Sequence, residues 1–168
     1  MTYQIRSYQP EDAAAIAEIF AYYVCHTTIS FAETAPDAAQ TAALAEDIRA
    51  LSPYFVAELE GEVMGYAYAK PWGKMAGFAR TYESTIYLRH SRDKALCKGM
   101  GEALYKALIE GIAAQSKVRS LYGVVVADNL PSHRLHEKLG FTKAAVLTDI
   151  GYKQGQWLDL WYWRYDFY

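Results

Sequence analysis

The run ESTIYL, a charged connection and then KGMGEALYKALIEGI constrain the fold of this chain more than any other stretch. Ser84 to Leu88 is a β-branched and aromatic segment that reads as a strand. From Glu102 onward, Leu104, Leu108 and Ile112 recur every four residues, with Ala103, Ala107 and Gly111 beside them. This is the apolar stripe of a helix. Glu102, Lys106 and Glu110 occupy the opposite face as oppositely charged neighbours. A strand, a basic glycine-containing loop and a helix therefore follow one another. Gly99 and Gly101 let the backbone approach a ligand closely. The first N–H groups of a helix have no partners inside it, so they and the helix dipole attract an anion. The same glycines are equally compatible with a plain loop end, because a lone GxG does not decide between the two.

At 168 residues the chain reads as a single domain spanning 1–168, large enough to bury roughly two thirds of its unfolded surface. Charged residues make up 21% and the net charge is −2, so nothing points to a nucleic-acid partner. Cys25 and Cys97 are too few and too far apart for a disulfide scaffold or a metal knuckle. No targeting segment is read at the start and no apolar run is long enough to span a membrane, so the expected location is cytoplasmic. The unusual feature is aromatic: 15 tyrosines and 4 tryptophans, with Trp157, Trp161 and Trp163 in the last dozen residues. Such surface suits a ligand pocket or a subunit interface.

Along the chain, Tyr3 to Tyr8 alternates as a strand, and Pro10, Glu11 and Asp12 open a helix carrying Ile16, Phe20 and Val24. Asp37 starts a second helix that Pro53 stops, and the hydroxyl-rich CHTTISFAET between them reads as a loop. Tyr54–Leu59 and Val63–Trp72 are strands joined by a hairpin at Glu60-Gly61. Lys74–Arg80 is a basic and aromatic loop before the ESTIYL strand. Leu121–Ala127 is a nearly continuous apolar strand of the kind covered on both faces. Asn129 caps a short helix bearing Leu135 and Leu139, and two strands, about 144–153 and 157–167, end the chain. The order β-α-α-β-β-β-α-β-α-β-β predicts an α/β (α+β) domain with a mixed sheet and helices on both faces.

NLPSHRLHEKLGF, following the buried strand, adds to this pattern the segments Thr27–Phe31, YAKPW, ESTIYL, KGMG and the tail GYKQGQWLDLWYW. In this order, over essentially the whole chain, they resemble the GCN5-related N-acetyltransferases (GNAT), and within these the branch of phosphinothricin and methionine-sulfone N-acetyltransferases. The resemblance implies a GNAT-type mixed, mostly antiparallel central sheet and acetyl-CoA as donor. It places the pyrophosphate on the backbone of Lys98, Gly99, Met100, Gly101 and Glu102. It further pairs the strand edge at Ile86, Tyr87 and Leu88 with the pantetheine arm, and brings Asn129 and Ser132 to the cofactor. One departure is Leu96, where the family usually has Gln or Arg, in a loop longer than that of close relatives. Arg92, Lys94 or Lys98 would supply the missing charge.

Acyl transfer to an amine needs the neutral nucleophile, and an α-amino group is protonated below about pH 8. By resemblance Glu83 is the general base; its residue type alone fits an ordinary polar strand position equally well. His136 stands where most of the superfamily has a tyrosine that helps the CoA thiolate leave, and a structural histidine is the other reading. His133, His136 and Glu137 do not have the HExxH spacing, so no metal is expected. For the acceptor, Phe31, Trp72, Phe78 and Tyr82 are candidate walls, with Lys74 and Arg80 for an acid group. Met75 replaces the arginine of relatives that acetylate phosphinothricin, which favours methionine sulfone or sulfoximine as acceptor. Lys153, Gly155, Trp157 and Asp159 match the family's tail motif beside the active site, and Lys153 is counted as substrate-binding.

The expected activity is acetyl-CoA-dependent N-acetylation of a small amine of amino-acid type, by direct transfer in a ternary complex. Its rivals are a non-catalytic acyl-CoA-binding module and a protein N-acetyltransferase. The apolar faces of the last strand, with Trp157, Trp161 and Trp163 alternating with Leu158, Leu160 and Tyr162, predict a homodimer.

Overall fold

The computed structural model describes residues 3–90, 97–115 and 117–168. β1 (Gln4–Ser7) leads through a 3₁₀ turn at Pro10–Asp12 into α1 (Ala13–His26) and then α2 (Ala38–Arg49). β2 (Tyr54–Leu59), β3 (Glu62–Pro71) and β4 (Thr81–Leu88) follow as a meander. α3 (Met100–Ala113), β5 (Ser120–Val126), α4 (Leu130–Lys138), β6 (Thr142–Lys153) and β7 (Gln156–Asp166) complete the order. Among the described residues the strands form one sheet, β1-β2-β3-β4-β5-β7-β6, in which only the β4–β5 pair is parallel. The expected element order and mixed, mostly antiparallel sheet are what the chain adopts.

Local chemistry sets the punctuation. Asp37 caps α2: its carboxylate accepts from the Gln40 N–H while the Gln40 side chain accepts from the Asp37 N–H. Glu60 and Gly61 have φ of 51° and 84°, as a two-residue hairpin turn of the I′ kind requires.

Strand alternation divides the sheet into two faces. Against one face lies α3, whose Met100, Leu104, Tyr105, Leu108 and Ile112 are each at most 1% exposed. At roughly 1.5–3 kcal/mol per fully buried large apolar side chain, this stripe anchors the helix that carries the glycine loop. α1 and α2 cover the other face over β2–β4, around Tyr8, Ile16, Ile19, Tyr54, Val56 and Tyr66. β5 departs from the expectation of cover on both faces, since Tyr122 and Val124, on the side away from α3, are only half-buried.

The feature that positions the site is the shortness of the parallel pairing. Thr81–Ser84 pairs with Ser120–Gly123 and there the ladder stops. Thr85–Leu88 stays on β3, and Val124–Val126 stays on β7. The two strands therefore part, and the cleft between them exposes one edge of β4.

Candidate active site

Two adjoining cavities fill this cleft. The larger, about 630 Å³, is lined by Ile86, Tyr87, Leu88, Gly99, Gly101, Glu102, Asn129 and Ser132, all candidates from the sequence. The smaller, about 120 Å³, lies at the fork and is lined by Glu83, Ser84, Tyr105, Gly123 and His136.

At the head of α3, Gly99 has φ 78°, a conformation other residues rarely adopt. The Met100 N–H donates to the Cys97 carbonyl and Ala103 to Gly99, whereas the N–H groups of Gly101 and Glu102 have no backbone acceptor among the described residues. These are donors for an anion. A Cβ on Gly101 would sit 3.4 Å from Leu88 Cδ1, so the missing side chain keeps the approach open. The Glu102 carboxylate does not oppose that anion. Lys106 and Lys138 both bind it and pull its pKa down to about 2. The donors, the free β4 edge and the volume together fit a pyrophosphate with an extended amide-containing arm. Two sequence candidates stand outside this lining. Met100 is a core side chain with no exposed surface and its N–H is taken, while Lys98 is exposed and outside the cavity lining. Leu96, Arg92 and Lys94 lie outside the described residues.

At the fork, Glu83 sits opposite Lys70 of β3 and Tyr122 of β5. Its carboxylate has no hydrogen bond or ion pair among the described residues, and its charge helps raise the pKa of the Tyr68, Tyr87 and Tyr162 phenols. On the opposite face a buried relay begins at His136, 2% exposed. Its Nδ1 lies 2.8 Å from the Ser132 carbonyl, which only accepts, so Nδ1 carries the proton. Nε2 then accepts from the Tyr105 hydroxyl at 3.0 Å, and the Tyr105 oxygen lies 2.6 Å from Ser84 Oγ, which has one proton for two acceptors, Tyr105 and the Tyr122 carbonyl at 3.0 Å. Burial, the largest influence, pushes the His136 pKa down to about 4. The ring is neutral at pH 7 and both its nitrogens are engaged. Gly123 makes room for it: a Cβ there would lie 2.0 Å from Nε2. Tyr105 and Gly123 escaped the sequence reading. A glycine inside the apolar run of β5 was the available signal for close approach. His133 is structural, accepting from Trp163 Nε1 and donating to the Ala127 carbonyl.

The acceptor candidates scatter. Trp72 packs on Tyr122 and Tyr162, on the Glu83 side of the sheet. Phe31 lies on Gly151, where a Cβ would meet its ring at 2.3 Å. Lys74, Met75 and Phe78 are exposed on the β3–β4 hairpin. Two expectations are corrected. Tyr82 alternates to the α3 face and is 3% exposed, a core residue. Arg80 precedes β4 and lines a surface hollow with Lys117, Arg119 and Tyr168, outside both cavities of the cleft. The Lys153 ammonium is committed to two backbone carbonyls, Val24 at 2.7 Å and Ser30 at 2.6 Å, tying β6 to the end of α1 and to the following loop. It lines neither cavity of the cleft.

A family model described as an acetyltransferase (GNAT) domain matches residues 5–161. The chain belongs to the GNAT acetyltransferases. A phosphinothricin N-acetyltransferase of Streptomyces viridochromogenes is 37% identical over 98% of this chain and 87% of its own. An L-methionine sulfoximine/L-methionine sulfone acetyltransferase of Salmonella typhimurium is 34% identical over 93% and 90%. Among solved structures, a GNAT phosphinothricin acetyltransferase from Sinorhizobium meliloti in complex with acetyl-CoA superposes with a TM-score of 0.91 at 31% identity, covering 99% of this chain and 89% of that one. This GNAT chain is an acetyl-CoA-dependent N-acetyltransferase, and the cleft between β4 and β5 has the donors and size that acetyl-CoA needs.

Proposed function

We propose that the enzyme acetylates the α-amine of a free amino acid or amino-acid analogue by direct transfer, with Glu83 as general base. The observation that carries this reading is the Glu83 carboxylate, unpaired among the described residues, at the fork of the cleft, where a thioester lying along β4 would end. The neutral amine attacks the thioester carbonyl carbon. A C–N bond forms, the C–S bond breaks, and the proton lost by nitrogen passes to Glu83. The sulfur leaves as CoA thiolate and the products are an N-acetyl amide and CoA. A thiolate with a pKa near that of a cysteine, about 8.5, is a tolerable leaving group. The buried relay therefore holds the fork in shape, and His136 acts through Tyr105 and Ser84 as a positioning residue.

A homodimer belongs to the same reading. Val146, Leu147, Ile150, Tyr152 and Trp157 are all at least 40% exposed along β6 and the start of β7. Apolar surface gathered on one hairpin suits a symmetric partner. A cytoplasmic location fits the exposed thiol of Cys25.

The deciding experiment is thiol release from acetyl-CoA against a panel of amino acids, methionine sulfone, methionine sulfoximine and phosphinothricin, with wild type and Glu83→Gln. The variant should lose roughly 10²–10⁴-fold in kcat, most severely at low pH, and still bind acetyl-CoA. Full turnover at pH 7 by Glu83→Gln removes Glu83 from the mechanism. Sedimentation as a monomer at micromolar concentration removes the dimer.

A further inference from the structure

Between α1, α2 and the sheet lies a third cavity of about 220 Å³, walled by Phe20, Tyr54, Tyr66, Tyr68 and Tyr87, with Lys70 beside them. It shares Thr85 and Tyr87 with the fork. Lys70 is directly opposite Glu83 across the β3–β4 ladder, and Thr85 is two residues further along the same face, about 6.5 Å away. We propose that this tyrosine pocket is the acceptor side-chain subsite, taking the neutral, mostly apolar side chain of an α-amino acid whose carboxylate meets Lys70 and whose amine meets Glu83. The assignment rests on the amino-acid reading above and names the side-chain class.

Size is the first argument. A complete small-molecule site is roughly 300–1,000 Å³, so 220 Å³ suits one side chain. Charge is the second. Aromatic faces attract cations, but the lining holds no carboxylate and Lys70 stands in it, which disfavours a cationic side chain. An anionic side chain would need a partner of its own, and among the described residues Lys70 is the one cation in the lining. Burial raises the pKa of the Tyr54, Tyr66, Tyr68 and Tyr87 phenols, so all four stay neutral. The third argument is an orphan. Thr41 lines the pocket, is 6% exposed, and its Oγ1 has no hydrogen-bond partner among the described residues. A buried hydroxyl without a partner is costly, and a ligand acceptor atom would satisfy it. The favoured side chain is therefore uncharged, with an aliphatic or thioether stem and room for one polar oxygen.

The test has two arms. Saturation-transfer NMR on the enzyme without acetyl-CoA, with methionine as probe, should show magnetisation passing from tyrosine ring protons to the methionine methyl. It should vanish in Thr41→Leu, which fills the pocket, and in Leu44→Trp, which crowds it from an exposed position on α2. In the thiol-release assay the kcat/KM ratio of methionine over alanine should fall more than tenfold in both variants. Wild type should prefer methionine and methionine sulfone over glutamate and lysine by at least tenfold. Absence of transfer in wild type, or an unchanged ratio in either folded variant, overturns the subsite. Binding of methionine with no thiol release from any amine would instead sink the acetylation reading and leave the pocket standing.

Discussion

Gly123→Ala is the sharpest probe of the fork. The new Cβ would lie 2.0 Å from His136 Nε2 and 2.7 Å from Cδ2, so the imidazole must move. It has nowhere easy to go, being packed edge-on against Tyr105 and Phe141 and stacked on Trp163. Overpacking of this kind costs about 1–3 kcal/mol. Displacing Nε2 also costs the Tyr105 hydroxyl that hydrogen bond, about 0.5–1.5 kcal/mol, while Ser84 Oγ stays within its reach. Together these give about 1.5–4.5 kcal/mol, or a fall in Tm of roughly 3–18 °C for a chain of this size. Calorimetry on wild type, Gly123→Ala, His136→Ala and the double variant closes a thermodynamic cycle. His136→Ala opens the space that the new methyl needs, so Gly123→Ala should cost less than about 1 kcal/mol in that background. An equal fall in both backgrounds, or none in wild type, would refute the contact as the reason for the glycine.

The remaining expectations concern pH, cofactor and loop. The unfolded chain has an ordinary histidine, so it binds a proton before the folded state does, and stability present above pH 6.5 is lost as pH falls towards 4. For His136 this is about 3 kcal/mol, measurable by urea unfolding, and His136→Gln should lack that share; an identical pH slope in the variant counts against it. Gly101→Val should weaken acetyl-CoA binding more than tenfold by calorimetric titration, and unchanged affinity would move the phosphates elsewhere. Lys153→Met removes two charge-assisted hydrogen bonds, each worth about 1.5–3 kcal/mol. Hydrogen exchange should accelerate at Ile29–Ala32, and unaltered protection there would show that the lysine does not hold the loop.

Local pattern carried the architecture. The stripe Leu104, Leu108, Ile112, the Asp37 cap and the Glu60-Gly61 turn each act within a few residues, so they could be read directly. The cofactor strand and helix were legible for the same reason. What escaped depends on contacts across the sheet. Tyr82 and Glu83 are neighbours in sequence yet face opposite sides, and only the sheet's surroundings decide which is core. Arg80 and Lys74 bracket one loop, yet Arg80 lies in a hollow with Lys117, Arg119 and Tyr168, which are distant from it in sequence. Tyr105 reads as one more apolar residue on α3 until Ser84 and His136 meet it. The tyrosine pocket draws on α1, α2, β2, β3 and β4 at once, which no single window of sequence contains.

The Lys153 clasp bears on how segments of this chain can be exchanged with those of relatives. Residues 27–31 and the β6–β7 hairpin lie more than a hundred positions apart, yet one ammonium and the Phe31–Gly151 contact make them a single mechanical part. A loop grafted alone from a relative would arrive without its clasp, and a hairpin grafted alone would find carbonyls in the wrong place. Chimeras that exchange both segments together should keep turnover, whereas either exchange alone should leave a folded protein in which loop and hairpin no longer meet.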